Sequence, residues 1–341
     1  MEYEVTIGIP VYRSEPYIRR ALMSALNQTF PSIELLVVDD GGNDGSMDVV
    51  RELADSHPRG KDIRIISHEK NQGVSASRNR MIDEAQGDYL YFMDSDDEIA
   101  EQTIDLLMRN ARQYDAEVVF GSYERIETTG IKTVYQYPSL QFSGEDQLAS
   151  FAYRKYGGIQ ASACNYLVRL SLLRDSGLRF IDTDYWEDMA FTFNLVTRVS
   201  KAVLLPDITY SYFCRDNSLS NYQERTVVAK DEIMRNVKAV DYMKQTTSAL
   251  CGKAYFPNRC YLVAMTDFYI VAHILKQGKN IRPAVTAREM KAMMAHPASF
   301  SQICRFKNGR MKNLALFFIG KMPSVMCAWT VWCLAKMKKL V

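Results

Sequence analysis

Residues 71–97 read NQGVSASRNRMIDEAQGDYLYFMDSDD, a turn, a helix, a buried strand and an acidic loop in succession. Asn71-Gln72-Gly73 has turn chemistry, the run after it has helical spacing to about Ala85, and Gly87 stops it. Asp88–Met93 is a short apolar run and reads as a strand, which the chain leaves at Asp94-Ser95-Asp96-Asp97. The same alternation repeats upstream. Val5–Pro10 reads as a strand, Ile33–Val38 as a second buried strand, and Ile63–Ile66 as a third strand. Ser14 is placed to cap a helix with Pro16 in its first turn and Ile18, Leu22, Ala25 and Leu26 on its inner face. Asp39–Asp40 ends the second strand and opens the loop Gly41-Gly42-Asn43-Asp44-Gly45, after which Ser46 caps a helix burying Val49, Val50 and Leu53. Downstream, a helix covers 101–113 and a strand Glu117–Gly121. Repeated strand–helix units of this length predict an α/β fold with a doubly wound, mostly parallel sheet. Ligands of such sheets bind beyond the carboxyl ends of the strands, so Tyr12–Arg13, Asp39–Asp40 and Asp94–Asp97 are expected to converge on one crevice.

A chain of 341 residues has room for two domains. With 47% hydrophobic and 24% charged residues it is neither a disordered chain nor a disulfide-stapled mini-protein. The formal charge of +2 carries no nucleic-acid signal, but its placement is uneven. Residues 290–341 hold nine Lys or Arg and no Asp or Glu, whereas residues 1–289 hold 33 against 40. A basic tail on an acidic body points to an anionic surface. The seven scattered cysteines form no C-x-x-C pair and read as buried free thiols in a reducing compartment. The four histidines lack H-E-x-x-H spacing, so any metal here would take oxygen ligands. The N-terminus enters a strand-like run without a signal peptide, which gives a cytoplasmic expectation.

No G-x-G-x-x-G follows the first strand and no G-x-x-x-x-G-K-[ST] occurs, which disfavours a dinucleotide Rossmann site and a P-loop. Two carboxylates one residue apart at a strand exit, Asp94 and Asp96, suit a hard divalent cation that also takes diphosphate oxygens. The same residues also suit a solvated turn that caps the next helix. Asp39–Asp40 fits a strand end and helix cap, or the acidic pair of a receiver domain, whose length and residue order this chain does not match. Arg78 and Arg80 lie in a helix start where an Arg can pair with phosphate; an exposed helix face is the alternative.

Together these pieces resemble the nucleotide-binding half of family 2 glycosyltransferases, which have the GT-A fold. The resemblance rests on Ile9-Pro10-Val11-Tyr12, on Ala25-Leu26-Asn27-Gln28-Thr29-Phe30, and on Val37-Val38-Asp39-Asp40-Gly41. It continues through Asn71-Gln72-Gly73 to Arg78-Asn79 and through Phe92-Met93-Asp94-Ser95-Asp96-Asp97, in the family's order over about 100 residues. It implies that Pro10 and Tyr12 line the base pocket and that Asp40 accepts from the base imide, with Asp39 beside it. It further implies that Arg78 faces base or diphosphate, that Asp94 touches the ribose, and that Asp96 binds Mn²⁺ or Mg²⁺ with help from Asp97. Two residues depart from the pattern. Arg13 stands where many members have Asn, and Gly42 where the usual motif has Ser.

In the second half, Glu187-Asp188-Met189-Ala190-Phe191 opens a helix. Acids there also suit the helix dipole alone, but the run resembles the family's E-D-x-x-F element. That assigns Asp188 as the base on the acceptor hydroxyl, with Glu187 as its understudy; Trp186 is a sugar-stacking candidate or core. The stretch from Tyr210 through Tyr212 and Arg215 to Ser218 and Ser220 resembles the family's Y-x-Y-R-x-x-x-S-x-S run, in which Arg215 and the serines hold diphosphate. Residues 225–245 and 255–276 read as helices. The segment 314–334 is apolar but interrupted by Lys321 and Pro323. Its basic flanks, with Trp329 and Trp332, suit a helix lying on an anionic membrane; a buried helix or dimer contact is the alternative.

The expectation is therefore a GT-A domain over 1–222, with nucleotide binding in 1–121 and the acceptor side in 122–222, followed by a helical region over 223–341. The resemblance implies a metal-dependent, inverting transfer of one sugar from a nucleotide-diphosphate donor, most simply a UDP-sugar. The acceptor would be a hydroxyl of a glycan or lipid-linked molecule in cell-surface polysaccharide synthesis, on the inner membrane face. No Q-x-x-R-W marks a processive synthase. A sugar nucleotidyltransferase or a catalytically silent nucleotide- or glycan-binding module are the alternatives.

Overall fold

The computed structural model describes residues 3–154, 158–183, 185–215 and 227–338. The chain begins with β1 (Val5–Val11), α1 (Glu15–Leu26), β2 (Ile33–Asp39), α2 (Ser46–Ser56), β3 (Ile63–Ser67), α3 (Val74–Glu84) and β4 (Tyr89–Phe92). These are the elements expected from the sequence, with ends moved by one or two residues. β1 pairs in parallel with both β2 and β4, and β2 in parallel with β3. All of β4 and nearly all of β1 and β2 are buried, which is why they read as continuous apolar runs rather than alternating ones. α1 covers the sheet with Ile18, Ala21, Leu22, Ala25 and Leu26, one stripe at helical spacing. Full burial of each leucine or isoleucine there is worth about 1.5–3 kcal/mol.

The sheet continues with β5 (Glu98–Ile99), α4 (Thr103–Tyr114), β6 (Val118–Ile126), β7 (Lys132–Tyr135), β8 (Leu140–Ser143), α5 (Gln147–Ala152), β9 (Tyr166–Arg169), α6 (Leu170–Asp175), α7 (Glu187–Leu195) and β10 (Lys201–Phe213). Strand order is β3-β2-β1-β4-β9-β6-β10-β5, with β7 beside β6 and β8 beside β10. β9 inserts antiparallel between β4 and β6, while β10 runs parallel to β6. The chain goes outward from β1 to β2 and β3, then returns to β4 on the other side. This reversal puts the carboxyl ends of β1, β2 and β4 around one topological switch point, the place where open α/β sheets bind ligands.

The remaining elements are β11 (Val228–Ala229), α8 (Lys230–Ser248), α9 (Phe256–Gln277), β12 (Ile281–Arg282), α10 (Ala287–Met293), α11 (Phe300–Cys304), α12 (Arg310–Lys321) and α13 (Ser324–Met337). Among the described residues, 3–148, 162–183 and 197–215 form one compact unit around the sheet. Residues 149–154, 158–161, 185–196 and 227–338 form a second, helical one. The second unit is organised on α9, whose 22 residues are buried on most sides. Phe256 and Cys260 of α9 meet Ala298, Ile303 and Phe306 in one apolar cluster. The apolar segment 314–334 is two helices, because Pro323 stands between α12 and α13. All seven cysteines are free, but Cys251 and Cys304 are exposed, against the expectation of burial throughout.

Candidate active site

The loops at the carboxyl ends of the parallel strands are tied together by direct hydrogen bonds. Ser14 does not cap α1 with its side chain. Its Oγ instead lies 2.6 Å from Ser95 Oγ, joining the loop after β1 to the acidic loop after β4. Its N–H donates to Ser46 Oγ at 2.9 Å, joining the loop after β1 to the start of α2. Ser46 is likewise no cap; Asp44 Oδ1 accepts its N–H. Sequence reasoning placed these serines at helix starts correctly and missed that their hydroxyls join loops.

Asp40 is buried, and its carboxylate accepts from the N–H groups of Gln72 and Gly73, both at 2.8 Å. Its Oδ1 is also 2.7 Å from His68 Nδ1. It thus pins the turn in front of α3, where Gly73 has φ of 87°, a conformation that favours glycine. His68, absent from the sequence candidates, directly follows β3; its place at a strand end is the signal that finds it. Asp39 keeps a freer position at the end of β2. Its Oδ1 accepts from Gly41 N–H at 3.0 Å, and it lines a cavity of about 200 Å³ with Val11, Arg13, Gly42, Asp44 and Arg51. Pro10 lies at the end of β1 opposite Val38, and Tyr12 follows, 43% exposed.

The helix start after Gly73 divides its work among three side chains. Arg78 is buried and donates to Asp94 Oδ1 at 2.9 Å, with Phe180 packed 5.4 Å from its guanidinium. Asn79 clamps the backbone of Phe180 with two 2.8 Å bonds, and Ser75 donates to Thr183 O. Arg80 lies on the outer face, paired with Glu84. The motif therefore fixes both the acidic loop and the backbone at Phe180 and Thr183.

The acidic loop itself is crowded with charge. Asp96 has its carboxylate 2.5 Å from Arg215 Nε and its carbonyl accepting from Arg20 at 2.7 Å. Burial, reinforced by Asp94, pushes its carboxyl up to about 6, while Arg215 opposes the rise. Asp97 is fully buried, accepting from Tyr210 OH at 2.7 Å and from Phe213 N–H at 2.8 Å. Burial and the neighbouring Asp96 and Asp94 push it well above the usual carboxylate range. Tyr210 OH also accepts from the Asp94 N–H, so β10 supports this loop from beneath. Arg20 stacks on Phe213 with 3.7 Å to the ring centre and pairs with Glu98. Neither Arg20 nor Phe213 carried a sequence signal, because their partners lie 76 or more positions away along the chain.

Glu187 and Asp188 belong to the second unit, in the first turn of α7, with Glu187 buried. Trp186 before them has φ of 59°, a left-handed conformation costly for a bulky residue. The far end of α7 is gripped by Arg259 of α9, which is fully buried. It donates to Phe193 O at 2.9 Å and to Asn194 Oδ1 at 2.6 Å. Ser218 and Ser220 lie outside the described residues.

A reversing sheet with an arginine-braced acidic loop at its switch point is the architecture expected of a GT-A fold. Residues 6–173 match the family described as Glycosyl transferase family 2, and this segment of the chain belongs to that family. Over 283 residues it is 23% identical to the cholesterol galactosyltransferase of Borreliella burgdorferi, covering 80% of this chain and 77% of that one. Over 248 residues it is 27% identical to the poly(ribitol-phosphate) beta-glucosyltransferase of Bacillus spizizenii, covering 70% of this chain but only 37% of that longer one. Among solved structures, S. aureus TarS 1-349 in complex with UDP superposes with a TM-score of 0.61 at 17% identity, covering 93% of this chain and 90% of that one. The fold expected from the sequence is thereby established.

Proposed function

We propose that the protein is an inverting glycosyltransferase that moves one sugar from a UDP-sugar to a hydroxyl of a cell-surface glycan or lipid-linked acceptor. The observation that carries this reading is the acidic loop, where Asp94 and Asp96 are each met by a guanidinium, from Arg78 and Arg215. Carboxylates and arginines concentrated at one strand exit suit a diphosphate and its counter-ion. UDP bound to TarS supports the choice of donor nucleotide, and a polyol-phosphate polymer and a sterol in the relatives' names support a hydroxyl acceptor at the cell surface.

A divalent cation fits the donor set. Mg²⁺ and Mn²⁺ take hard oxygens, and Mg²⁺ is usually held by one or two carboxylates plus substrate phosphates. Among the described residues no group of three or more His, Cys, Asp or Glu is placed to hold a metal ion, so diphosphate oxygens and water would have to supply the remaining ligands. Asp96 would hold the ion, with Asp94 next to it. When bound, the ion would neutralise charge on the departing diphosphate. Asp97 is committed to Tyr210 and Phe213, so its part is to shape the loop.

The chain's own groups supply the rest. Arg78 holds Asp94 in place for the ribose side, and Arg215 has a guanidinium available to diphosphate oxygens once it leaves Asp96. Asp39 and Tyr12 line the base side, with Pro10 at the strand end and Asp40 fixing the adjacent turn. Asp188, with Glu187 beside it, takes the proton as the acceptor hydroxyl attacks the anomeric carbon. A single base acting without a covalent nucleophile would give inversion, the outcome that the family resemblance implies.

Turnover of a panel of UDP-sugars, followed by UDP release with and without Mn²⁺, tests this reading. UDP release from one donor, reduced at least 100-fold in Asp188→Asn with UDP affinity unchanged, is the expected result. A nucleotidyltransferase would release pyrophosphate from UTP instead. A silent binding module would hold UDP without turnover in any condition.

A further inference from the structure

We infer that the outward face of α12 and α13 is a docking surface for a bilayer containing anionic phospholipid, on which the protein lies without spanning it. α13 is apolar on two faces. Cys327, Ala328, Val331 and Ala335 point inward, and the helix packs on α9 and α10. Val325, Trp329 and Trp332 follow at spacings of four and three along the opposite face, with Val325 73% and Trp329 65% exposed. Met326 and Met337 extend that face. α12 repeats the pattern, with Met311, Ala315 and Phe318 outward and Leu316 and Ile319 inward. Scattered exposed apolar residues are ordinary on a protein surface, whereas a contiguous face with two tryptophans is not.

Charge selects the occupant. No Asp or Glu follows Glu289, and the Lys and Arg residues flanking these helices are exposed, among them Arg305, Lys307, Arg310 and Lys312 before the apolar face and Lys338 after it. Lys336 Nζ lies 5.0 Å from the Trp332 ring centre, an ammonium held at the edge of the apolar face as at a membrane interface. A second observation agrees. Beside α12 and α13 is a cavity of about 460 Å³ lined by Arg288, Lys291, Lys321, His296, Phe317 and Ser324, with no acidic residue in its wall. Three cations over an aromatic floor suit a phospholipid headgroup phosphate. A second copy of this chain would bring the same cations face to face with themselves, which disfavours a symmetric contact here. No helix among the described residues is long and apolar enough to cross a membrane, so the geometry is that of a helix pair lying in the interface.

Flotation of the purified full chain tests the inference, using vesicles of phosphatidylcholine alone and of phosphatidylcholine with phosphatidylglycerol. The chain is expected to float with the anionic vesicles and to lose that binding as salt is raised. Each basic residue near the surface contributes about fivefold. Replacing Lys291 and Lys321 by Gln should therefore weaken binding by about 5- to 25-fold. Val325→Glu with Trp329→Glu should abolish it; both positions are exposed, and circular dichroism and the unfolding midpoint establish that the variants fold. Two of the three tryptophans, Trp329 and Trp332, lie on the face, so emission should shift to the blue on adding anionic vesicles. Equal flotation with neutral vesicles, or undiminished binding by the Glu variants, overturns the inference. So does sedimentation as a dimer that the Glu variants dissociate, with no flotation of the wild type, since that assigns the face to a second copy.

Discussion

Gly42 and Arg13 show what a departure from a family pattern means physically. A Cβ on Gly42 would stand 2.6 Å from Arg13 N, so this turn excludes the serine of the motif that the sequence resembles. Arg13 itself has φ of 50°, a left-handed conformation that Asn adopts more readily. Gly42→Ser is therefore expected to cost about 1–3 kcal/mol in urea denaturation, because the backbone must move apart. An unchanged midpoint would show that the two loops are not so closely set. A second prediction concerns Asp97. Removing its carboxylate in Asp97→Ala leaves Tyr210 OH and Phe213 N–H without their acceptor. The Tyr210 hydroxyl is a buried orphan and the Phe213 N–H a part-buried one, so the unfolding free energy should fall by about 1–3 kcal/mol. At this scale the sequence was only partly readable. Asp39, Asp40, Arg78, Asp94 and Asp96 stood out because they follow strands or open a helix. His68, Asn79 and Arg20 take their roles from atoms 28 or more positions away, which no local pattern encodes.

Elements of the first hundred residues were legible because β1, β2 and β4 are buried on nearly every residue and α1 and α2 each bury an apolar stripe. β9 and β10 were not. β9 is four residues long and gains its place by inserting between β4 and β6, a pairing fixed by contacts distant in sequence. Pro323 is the reverse case, a visible breaker that splits one apolar segment into two helices. The helix carrying the candidate base depends on a non-local anchor too. Arg259 is enclosed by Tyr153 OH, Phe193 O, Asn194 Oδ1 and the hydroxyls of Thr246 and Thr247. Arg259→Met strands several of these acceptors and is expected to cost about 3 kcal/mol or more by chemical denaturation. A loss below about 0.5 kcal/mol would mean that water or rearranged side chains replace it. A titration prediction belongs to α9 as well. Burial pushes Asp267 up to about 8 despite Lys244 Nζ at 3.0 Å. Unfolded, the same carboxyl titrates near ~3.9. Between those values the folded state binds the extra proton, so stability falls as pH rises from about 4 to about 8. Asp267→Asn should flatten that slope in thermal unfolding scans; an identical slope would contradict the assignment.

At the scale of the whole molecule, the division of charge follows the division of labour. The sheet unit places acids and arginines at the strand exits, while the second unit ends in a basic, apolar helix pair. In the proposed function the acidic loop of the sheet unit binds a nucleoside diphosphate through a cation held at Asp96. Calorimetric titration with UDP, GDP and dTDP tests that claim most directly, with and without Mn²⁺, on wild type and Asp96→Ala. Heat for UDP that requires Mn²⁺, with an affinity at least tenfold weaker in the variant, is the expected result. Absence of binding by every diphosphate in both conditions, or equal UDP affinity in wild type and variant, would contradict it.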